Sequence, residues 1–236
     1  MRRWLAVVVS LVAGAVQAEG LSLPEEGARL PRLAPYQGLV RLPGQDWVVL
    51  EVDGRLLVAS GNGRFVVDGV LYDLWERRPL QRLEDVRAAV GRLDLARLGV
   101  RLDELAPVRF GEAGRPEVVL VVSPGCPRCR GLLKEALALR DRYRFAVLVV
   151  SGGSEADGEA VRRLSCLEPE RALQALVRGR YEALPEGACG EEALLKRHLA
   201  VELLGIDVAP FVIAPDGRVH RGAPPGLAAW LGEGGR

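Results

Sequence analysis

Short apolar runs closed by turn signals dominate the first third of the sequence. The runs WVVLEV and RLLVAS flank Asp53-Gly54, a dipeptide that favours the two positive-φ positions of a tight hairpin. After a second turn signal, GNG at 61–63, come the runs RFVVDG and VLYDL. The pattern predicts an antiparallel meander of three or four strands. Because so small a sheet is marginally stable and exposes its edges, we expect a covering helix or a partner chain.

A different periodicity begins after Pro79. Apolar residues now recur at steps of three and four, as on one face of a helix. These residues are Leu83, Val86, Val90 and Leu93. We expect a helical segment over 80–105, interrupted or kinked near Gly91 or Gly99. It is either a surface helix packed on one domain or a spacer that holds two domains apart.

Strand and helix patterns alternate in the second half. EVVLVV and RFAVLVV suit strands buried on both faces, and the amphipathic stretch RGLLKEALALRDRY lies between them. Strand, helix and strand in this order predict a βαβ unit with parallel strands. Residues 155–205 have a helical pattern that breaks around EALPEGACG. The chain then ends with a predicted hairpin turning at Pro215-Asp216-Gly217 and a short helix near 227–231.

The N-terminus has the pattern of a secretory signal peptide. Arg2 and Arg3 precede an apolar run that ends in the small-residue cleavage pattern AVQA. The run is shorter than the roughly 20 residues that a membrane-spanning helix needs, which favours a cleaved signal over a membrane anchor. We expect residues 1–18 to be removed after Ala18. The mature protein then lies outside the cytoplasm, where disulfides persist.

Length and charge limit the remaining alternatives. The chain has 236 residues, enough for two domains, each with its own core. We expect an N-terminal domain at 19–79, a helical linker at 80–105 and a second domain at 106–236. Because 32 Lys and Arg nearly balance 31 Asp and Glu, no global field attracts nucleic acid, and none is expected as a partner.

Two of the four cysteines lie in the segment VVSPGCPRCR, and such a pair can serve a zinc site, a structural bridge or a redox couple. A zinc site needs four ligands at matching spacing, and neither His198 nor His220 has ligand spacing to a cysteine. A purely structural bridge between Cys126 and Cys129 closes so small a loop that it stabilises the fold little. A redox-active pair is the interpretation that the sequence favours.

The position of the pair supports redox chemistry. Cys126 falls where a strand passes into a helix, and the unpaired N–H groups and the dipole at a helix N-terminus stabilise a thiolate and lower the pKa of the thiol. Pro127 suits the first helical turn because it has no N–H, and Arg128 adds a positive charge. Cys126 is therefore the candidate nucleophile and Cys129 the candidate resolving thiol.

With these residues, nearly all of the mature sequence resembles the DsbC and DsbG type of periplasmic thiol:disulfide interchange proteins. The matching stretches are FVVDGVLYDLWERRPL, the CPRC motif, LSCLEPERALQALVRG with ACGEEALLKRHLAVELLGI, and GIDVAPFVIAPDGRVHRGAPP. The resemblance implies an α+β, cystatin-like N-terminal dimerisation domain. A helical linker would join it to an α/β thioredoxin-fold domain with a helical insertion at about 155–205.

The resemblance also assigns further site residues. Cys166 and Cys189 match the family's second, structural disulfide, worth about 3 kcal/mol for a loop of this length; a second redox pair is the alternative. Ala209-Pro210 matches the cis-proline position, which would place the Ala209 backbone beside Cys126 to pair with extended substrate. An ordinary proline at a strand start is the alternative for Pro210.

Three departures from the family concern the redox site. The segment VVSPG replaces an acidic and an aromatic residue that many members have before the CxxC motif, Ala209 replaces a frequent Thr, and the dipeptide Pro127-Arg128 differs from the commonest versions. These differences leave open the balance between isomerase, reductase and oxidase activity.

The expected function is isomerisation or reduction of incorrect disulfides in misoxidised or unfolded exported proteins, without a dissociable cofactor. The resemblance implies a periplasmic, V-shaped homodimer whose two Cys126 sites face a shared cleft, with a membrane thiol reductase as electron donor. The alternatives are a net dithiol oxidase or a dedicated reductase of the same fold, and, from another class, a holdase chaperone.

Overall fold

The computed structural model describes residues 36–43, 46–187 and 189–232; the expected signal peptide lies outside these ranges. The strands are β1 (Gly38–Arg41), β2 (Trp47–Val52), β3 (Arg55–Ser60), β4 (Val66–Asp68), β5 (Leu71–Asp73), β6 (Arg78–Leu80), β7 (Val108–Phe110), β8 (Glu117–Val122), β9 (Arg144–Val149), β10 (Phe211–Ile213) and β11 (Val219–Arg221). The helices are α1 (Leu83–Val90), α2 (Pro127–Ala138), α3 (Glu155–Ser165), α4 (Pro169–Arg178), α5 (Glu191–Leu203) and α6 (Leu227–Gly232), with a 3-10 turn at Leu102–Leu105.

The first four strands form the predicted antiparallel meander, in the order β1-β2-β3-β4. Asp53 and Gly54 both have positive φ, 50° and 74°, at the turn between β2 and β3, as the Asp-Gly signal predicts. The run VLYDL does not extend this sheet, because β5 pairs with β6 in a separate hairpin. The side chain of Asp73 accepts hydrogen bonds from the Trp75 and Glu76 N–H groups and so reverses the chain locally.

The segment predicted to be helical over 80–105 is α-helical only at α1. Asp85 accepts hydrogen bonds from the N–H groups of Arg82 and Gln81 at the helix start, and these bonds lower the pKa of its carboxyl. The helix ends at Gly91, and the chain then continues through turns in which Leu93 N–H donates to Gly217 O at 2.8 Å. Buried Leu83 and Val86 face the N-terminal sheet, so α1 is packed rather than free-standing.

A mixed five-stranded sheet, in the order β11-β10-β8-β9-β7, organises the second half. The pair β8 and β9 is parallel, as predicted from the βαβ pattern, and the other neighbours are antiparallel. Apolar residues fill both faces: one core contains residues of α2, α3, α4 and α6, and the other contains residues of α5 and of the turns after α1. With α2 crossing from β8 to β9 and the β10-β11 hairpin on the other side of β8, the domain has a thioredoxin-like α/β fold.

Buried Arg197 anchors α5 to this domain. Its guanidinium donates to the backbone carbonyls of Leu105, Ala106 and Val149 at 2.7 to 2.9 Å. Burial lowers the pKa of Arg197 to about 10, so the side chain is still cationic at neutral pH. In the part of the chain that the structure describes, no helix has both the length and the apolarity to cross a membrane.

Candidate redox site

Cys126 lies at the N-cap of α2, directly after the turn that follows β8. Its N–H donates to Ser123 O at 3.2 Å, and Pro127 occupies the first helical position, where the missing N–H costs no hydrogen bond. Cys126 Sγ accepts a hydrogen bond from the Cys129 N–H at 3.1 Å. A sulfur in this position accepts a backbone hydrogen bond and lies at the positive end of the helix dipole. Both interactions favour a thiolate when the pair is reduced.

Cys126 and Cys129 form a disulfide, so the structure holds the oxidised form of the pair. The two residues differ in accessibility. Cys129 is 1% exposed and packs in the core below α2, whereas Cys126 is half-buried and its neighbours Gly125, Pro127 and Arg128 are exposed. Of the two cysteines, Cys126 is therefore the more accessible from solvent.

The fold brings the Ala209-Pro210 segment to this sulfur from 83 residues away. The Ala209-Pro210 peptide bond is cis, and the Ala209 carbonyl oxygen lies 3.6 Å from Cys126 Sγ. Ala209 is half-buried and Pro210 is buried at the start of β10. The fold thus brings the cysteine pair and the Ala209 backbone together in one site.

Two further side chains support the turn before Cys126, and sequence reasoning missed both. Tyr181 Oη–H donates to Pro124 O at 3.2 Å, and burial raises the pKa of this phenol. The carboxylate of Asp157 accepts a hydrogen bond from Ser123 Oγ–H at 2.9 Å. These contacts span 57 and 34 residues, and no local pattern in the sequence marks them.

Cys166 and Cys189 form the second disulfide. It connects the residue after α3 to the segment that precedes α5, and both cysteines are exposed. Arg163 fixes the same segment by donating to Glu182 O and Leu184 O at 2.9 and 3.1 Å. Asp157 lies in the first turn of α3 and Cys166 at its end, so about 14 Å of helix separates them at 1.5 Å per residue.

The described residues contain no group of three or more His, Cys, Asp or Glu side chains placed to hold a metal ion. All four cysteines are in the two disulfides. Within the same part of the chain, His198 lies on α5 and His220 lies on β11, where its ring meets Trp230 edge-on at 5.8 Å. The chemistry that this site offers is thiol-disulfide exchange.

No protein-family model matches the sequence, and no curated protein matches it. Among solved structures, the chain is similar to the disulfide interchange protein from Neisseria gonorrhoeae (TM-score 0.46, 17% identity, 56% of this chain and 96% of that chain). It is also similar to the thiol-disulfide exchange protein α-DsbA2 from Wolbachia pipientis (0.49, 13%, 59% and 91%) and to DsbG from Helicobacter pylori (0.36, 14%, 76% and 92%).

Proposed function

We propose that this chain is an exported thiol:disulfide interchange protein, similar to the DsbC and DsbG type, that isomerises or reduces incorrect disulfides in other exported proteins. The placement of Cys126 supports this most directly. Cys126 is half-buried at the start of α2 and is bonded to buried Cys129, and its sulfur lies 3.6 Å from the Ala209 carbonyl oxygen. An inert structural bridge does not need one accessible sulfur at a helix N-terminus.

The reaction begins with the reduced pair. The Cys126 thiolate attacks one sulfur of a substrate disulfide, which forms a mixed disulfide and releases the other substrate sulfur as a thiolate. In isomerisation, a substrate thiolate attacks the mixed disulfide, a new substrate disulfide forms, and the Cys126 thiolate is restored without net electron transfer. In reduction, Cys129 attacks Cys126 Sγ, the substrate leaves as a dithiol, and two electrons have passed to it.

The Ala209-Pro210 segment would bind the substrate backbone. Ala209 is half-buried beside Cys126, so an extended peptide that adds as a strand there brings its cysteine to the nucleophile. Backbone pairing does not depend on the side chains of the peptide, which suits substrates as varied as misoxidised or unfolded exported proteins.

The electron flow requires a donor outside this chain. Each reduction leaves the Cys126–Cys129 pair oxidised, as it is in the structure. A membrane thiol reductase that keeps the pair reduced is the partner that the family resemblance suggests. The signal-like N-terminus supports export to the periplasm, where such reductases would meet the protein.

The N-terminal sheet would pair two chains. We place a dimerisation domain at 19–79, a linker at 80–105 and the catalytic domain at 106–236. Within the described residues, β4 pairs with β3 on one side only, and Val66 and Val67 on β4 are 43% and 55% exposed. An exposed apolar edge strand is a template for pairing with another chain, and joining β4 of two copies would produce the V-shaped dimer.

Refolding of a scrambled multi-disulfide protein tests the activity. We expect the reduced protein to restore the native substrate and the Cys126→Ser variant to lose this activity entirely. Cys129→Ser should accumulate mixed disulfides with substrate, because the resolving thiol is missing. The Cys166→Ser/Cys189→Ser double variant is the matched control, and it should keep the activity.

Two results would change the assignment. If scrambled substrate is not rescued while reduced substrate is rapidly oxidised, the protein is a net oxidase. If the Cys126→Ser/Cys129→Ser variant keeps full biological activity, the thiols are incidental and the holdase is the correct function. Equilibration with glutathione buffers then gives the reduction potential, which separates a dedicated reductase from an isomerase.

A further inference from the structure

Asp157 connects the helical insertion to the redox turn through several contacts. Its Oδ2 accepts hydrogen bonds from Ser123 Oγ–H at 2.9 Å and from Gly152 N–H at 3.1 Å. Ser123 is 5% exposed, so this bond also satisfies a buried hydroxyl. The Asp157 N–H in turn donates to Ser154 Oγ, the N-cap of α3, at 3.1 Å. The carboxylate is therefore held in one orientation by its own backbone, the turn and the loop before α3.

The other carboxylate oxygen lies against the backbone that presents Cys126. A Cβ built at Gly125 would be 2.6 Å from Asp157 Oδ1, closer than real contacts allow. Gly125 has no positive φ among the described backbone angles, so the space that Asp157 occupies, rather than backbone conformation, explains glycine at this position. Residue 125 directly precedes Cys126, so the Asp157 carboxylate lies against the backbone that leads to the nucleophile.

Several charged or titratable groups lie on the elements that meet at this turn. They include Arg128 and Arg130 of α2, Asp157 of α3, Tyr181 and Glu182 after α4, and Asp207, paired with Arg221, in the segment before Ala209. Arg130 extends toward Gly179, where its Cδ would be 2.9 Å from a built Cβ. Of the three acidic groups in this set, Asp157 is the one whose carboxylate bonds to Ser123 and lies against Gly125.

We propose that Asp157 is a positioning residue of the redox site: it holds the strand-to-helix turn that presents Cys126, and its charge opposes formation of the Cys126 thiolate. The α2 N-terminus and Arg128 favour the thiolate, whereas a carboxylate beside Gly125 disfavours it. A less stable thiolate makes the reduced pair less stable relative to the disulfide. Asp157 would thus keep the pair from becoming a strong oxidant, and it would shift the balance toward isomerase or reductase activity.

The test is the pH dependence of Cys126 alkylation by iodoacetamide in the reduced protein. Asp157→Asn removes the charge but keeps an oxygen that can accept from Ser123 and Gly152. We expect its alkylation midpoint to move to lower pH by on the order of half a unit, the size of a Coulomb interaction across a partly solvated gap. In glutathione buffer, the equilibrium constant between the disulfide and the dithiol form of the pair should change by about threefold in favour of the dithiol.

Ser123→Ala is the matched control. It removes the hydrogen bond from the turn and leaves the charge of Asp157 in place, so its midpoint should move much less than that of Asp157→Asn. Gly125→Ala is a second probe, because its Cβ must displace the carboxylate; its midpoint should also move to lower pH. Thermal unfolding of all variants shows whether each remains folded.

The proposal is wrong if folded Asp157→Asn has the wild-type midpoint, or if Ser123→Ala moves the midpoint equally, which would indicate a structural role alone. Because the role of Asp157 depends on the proposed thiol exchange, wild-type activity on scrambled substrate is measured in parallel. An inactive wild type whose midpoint nevertheless responds to Asp157→Asn contradicts the proposed function and not the electrostatic role.

Discussion

At the scale of single residues, the turn before Cys126 depends on side chains from distant parts of the chain. Ser123 bonds to Asp157, and the Pro124 carbonyl accepts from Tyr181. The sequence segment VVSPG has no acidic residue of its own, and α3 places one there in space. The environment of Cys126 therefore depends on the folded insertion as well as on the CPRC motif.

Replacing Tyr181 by Phe tests one of these contacts through pH. Burial raises the pKa of Tyr181 above its ordinary value of 10.0, so the neutral phenol stabilises the fold below about pH 10 and this contribution is lost as pH rises through the folded pKa. At pH 8, Tyr181→Phe should lower the free energy of unfolding by about 1 kcal/mol, the worth of one hydrogen bond.

Urea unfolding at intervals from pH 8 to 11 provides the measurement. The difference between wild type and Tyr181→Phe should shrink above pH 10, because only the wild type loses stability through ionisation of this phenol. A difference that stays constant up to pH 11 would show that residue 181 does not titrate as its burial requires.

At the scale of elements, α3 runs from the turn before Cys126 to the second disulfide. Its first turn carries Asp157, which bonds to Ser123, and its far end carries Cys166 in the exposed second disulfide. After Tyr181, Arg163 holds the carbonyls of Glu182 and Leu184, and the disulfide holds Cys189. We infer that the bridge stabilises the insertion without exchanging electrons.

Replacing both Cys166 and Cys189 by Ser tests this structural role. The bridge closes a loop over a sequence separation of 23, for which the chain-entropy estimate is about 3 kcal/mol. We expect the free energy of unfolding to fall by about this amount in urea titrations, with thiol exchange retained under conditions where the variant is folded. Loss of exchange in a folded variant would instead favour a second redox pair.

At the scale of the whole molecule, the described N-terminal sheet combines a packed face with an unpaired edge. Val49 and Leu56 pack with α1 residues in one core, and a second cluster that includes Leu50 lies on the opposite face. Large apolar side chains are exposed on β4 and next to it on both sides: Phe65, Val66, Val67 and Val70. Exposed apolar surface concentrated at an edge indicates a surface for another chain.

Val67→Lys tests the proposed dimer by sedimentation. A lysine on β4 introduces a charge that opposes edge pairing. We expect the dissociation constant of the dimer to increase about tenfold or more, which corresponds to about 1.4 kcal/mol of binding free energy. Leu203→Lys is the matched control, since Leu203 is 83% exposed on α5, in the other half of the chain. Sedimentation of the wild type as a monomer would exclude the shared cleft between two Cys126 sites.

Local patterns in the sequence predicted the elements that depend on near neighbours. The Asp53-Gly54 turn and the position of Cys126 before α2 follow from residues within one turn or helix start, and the parallel pair β8 and β9 follows from the order of three consecutive elements. The helical pattern over 80–105 breaks at Gly91, one of the two predicted interruptions, but no α-helix resumes after it, because the chain then pairs with the β10-β11 turn. Contacts with a remote hairpin have no signature in helical periodicity.

What the sequence determined by itself is the local chemistry: a cysteine pair at a strand-to-helix junction, where backbone N–H groups and the helix dipole act on the first sulfur. Only the tertiary structure decided which groups meet that sulfur and the turn before it. The Ala209 carbonyl lies beside the sulfur, whereas the Asp157 carboxylate and the Tyr181 hydroxyl bond to the preceding turn. All three come from separate segments of the chain. They meet there because the sheet and the helical insertion pack on common cores. Such packing brings together residues far apart in the chain, and hydrophobic periodicity reports only on residues within one helix or strand.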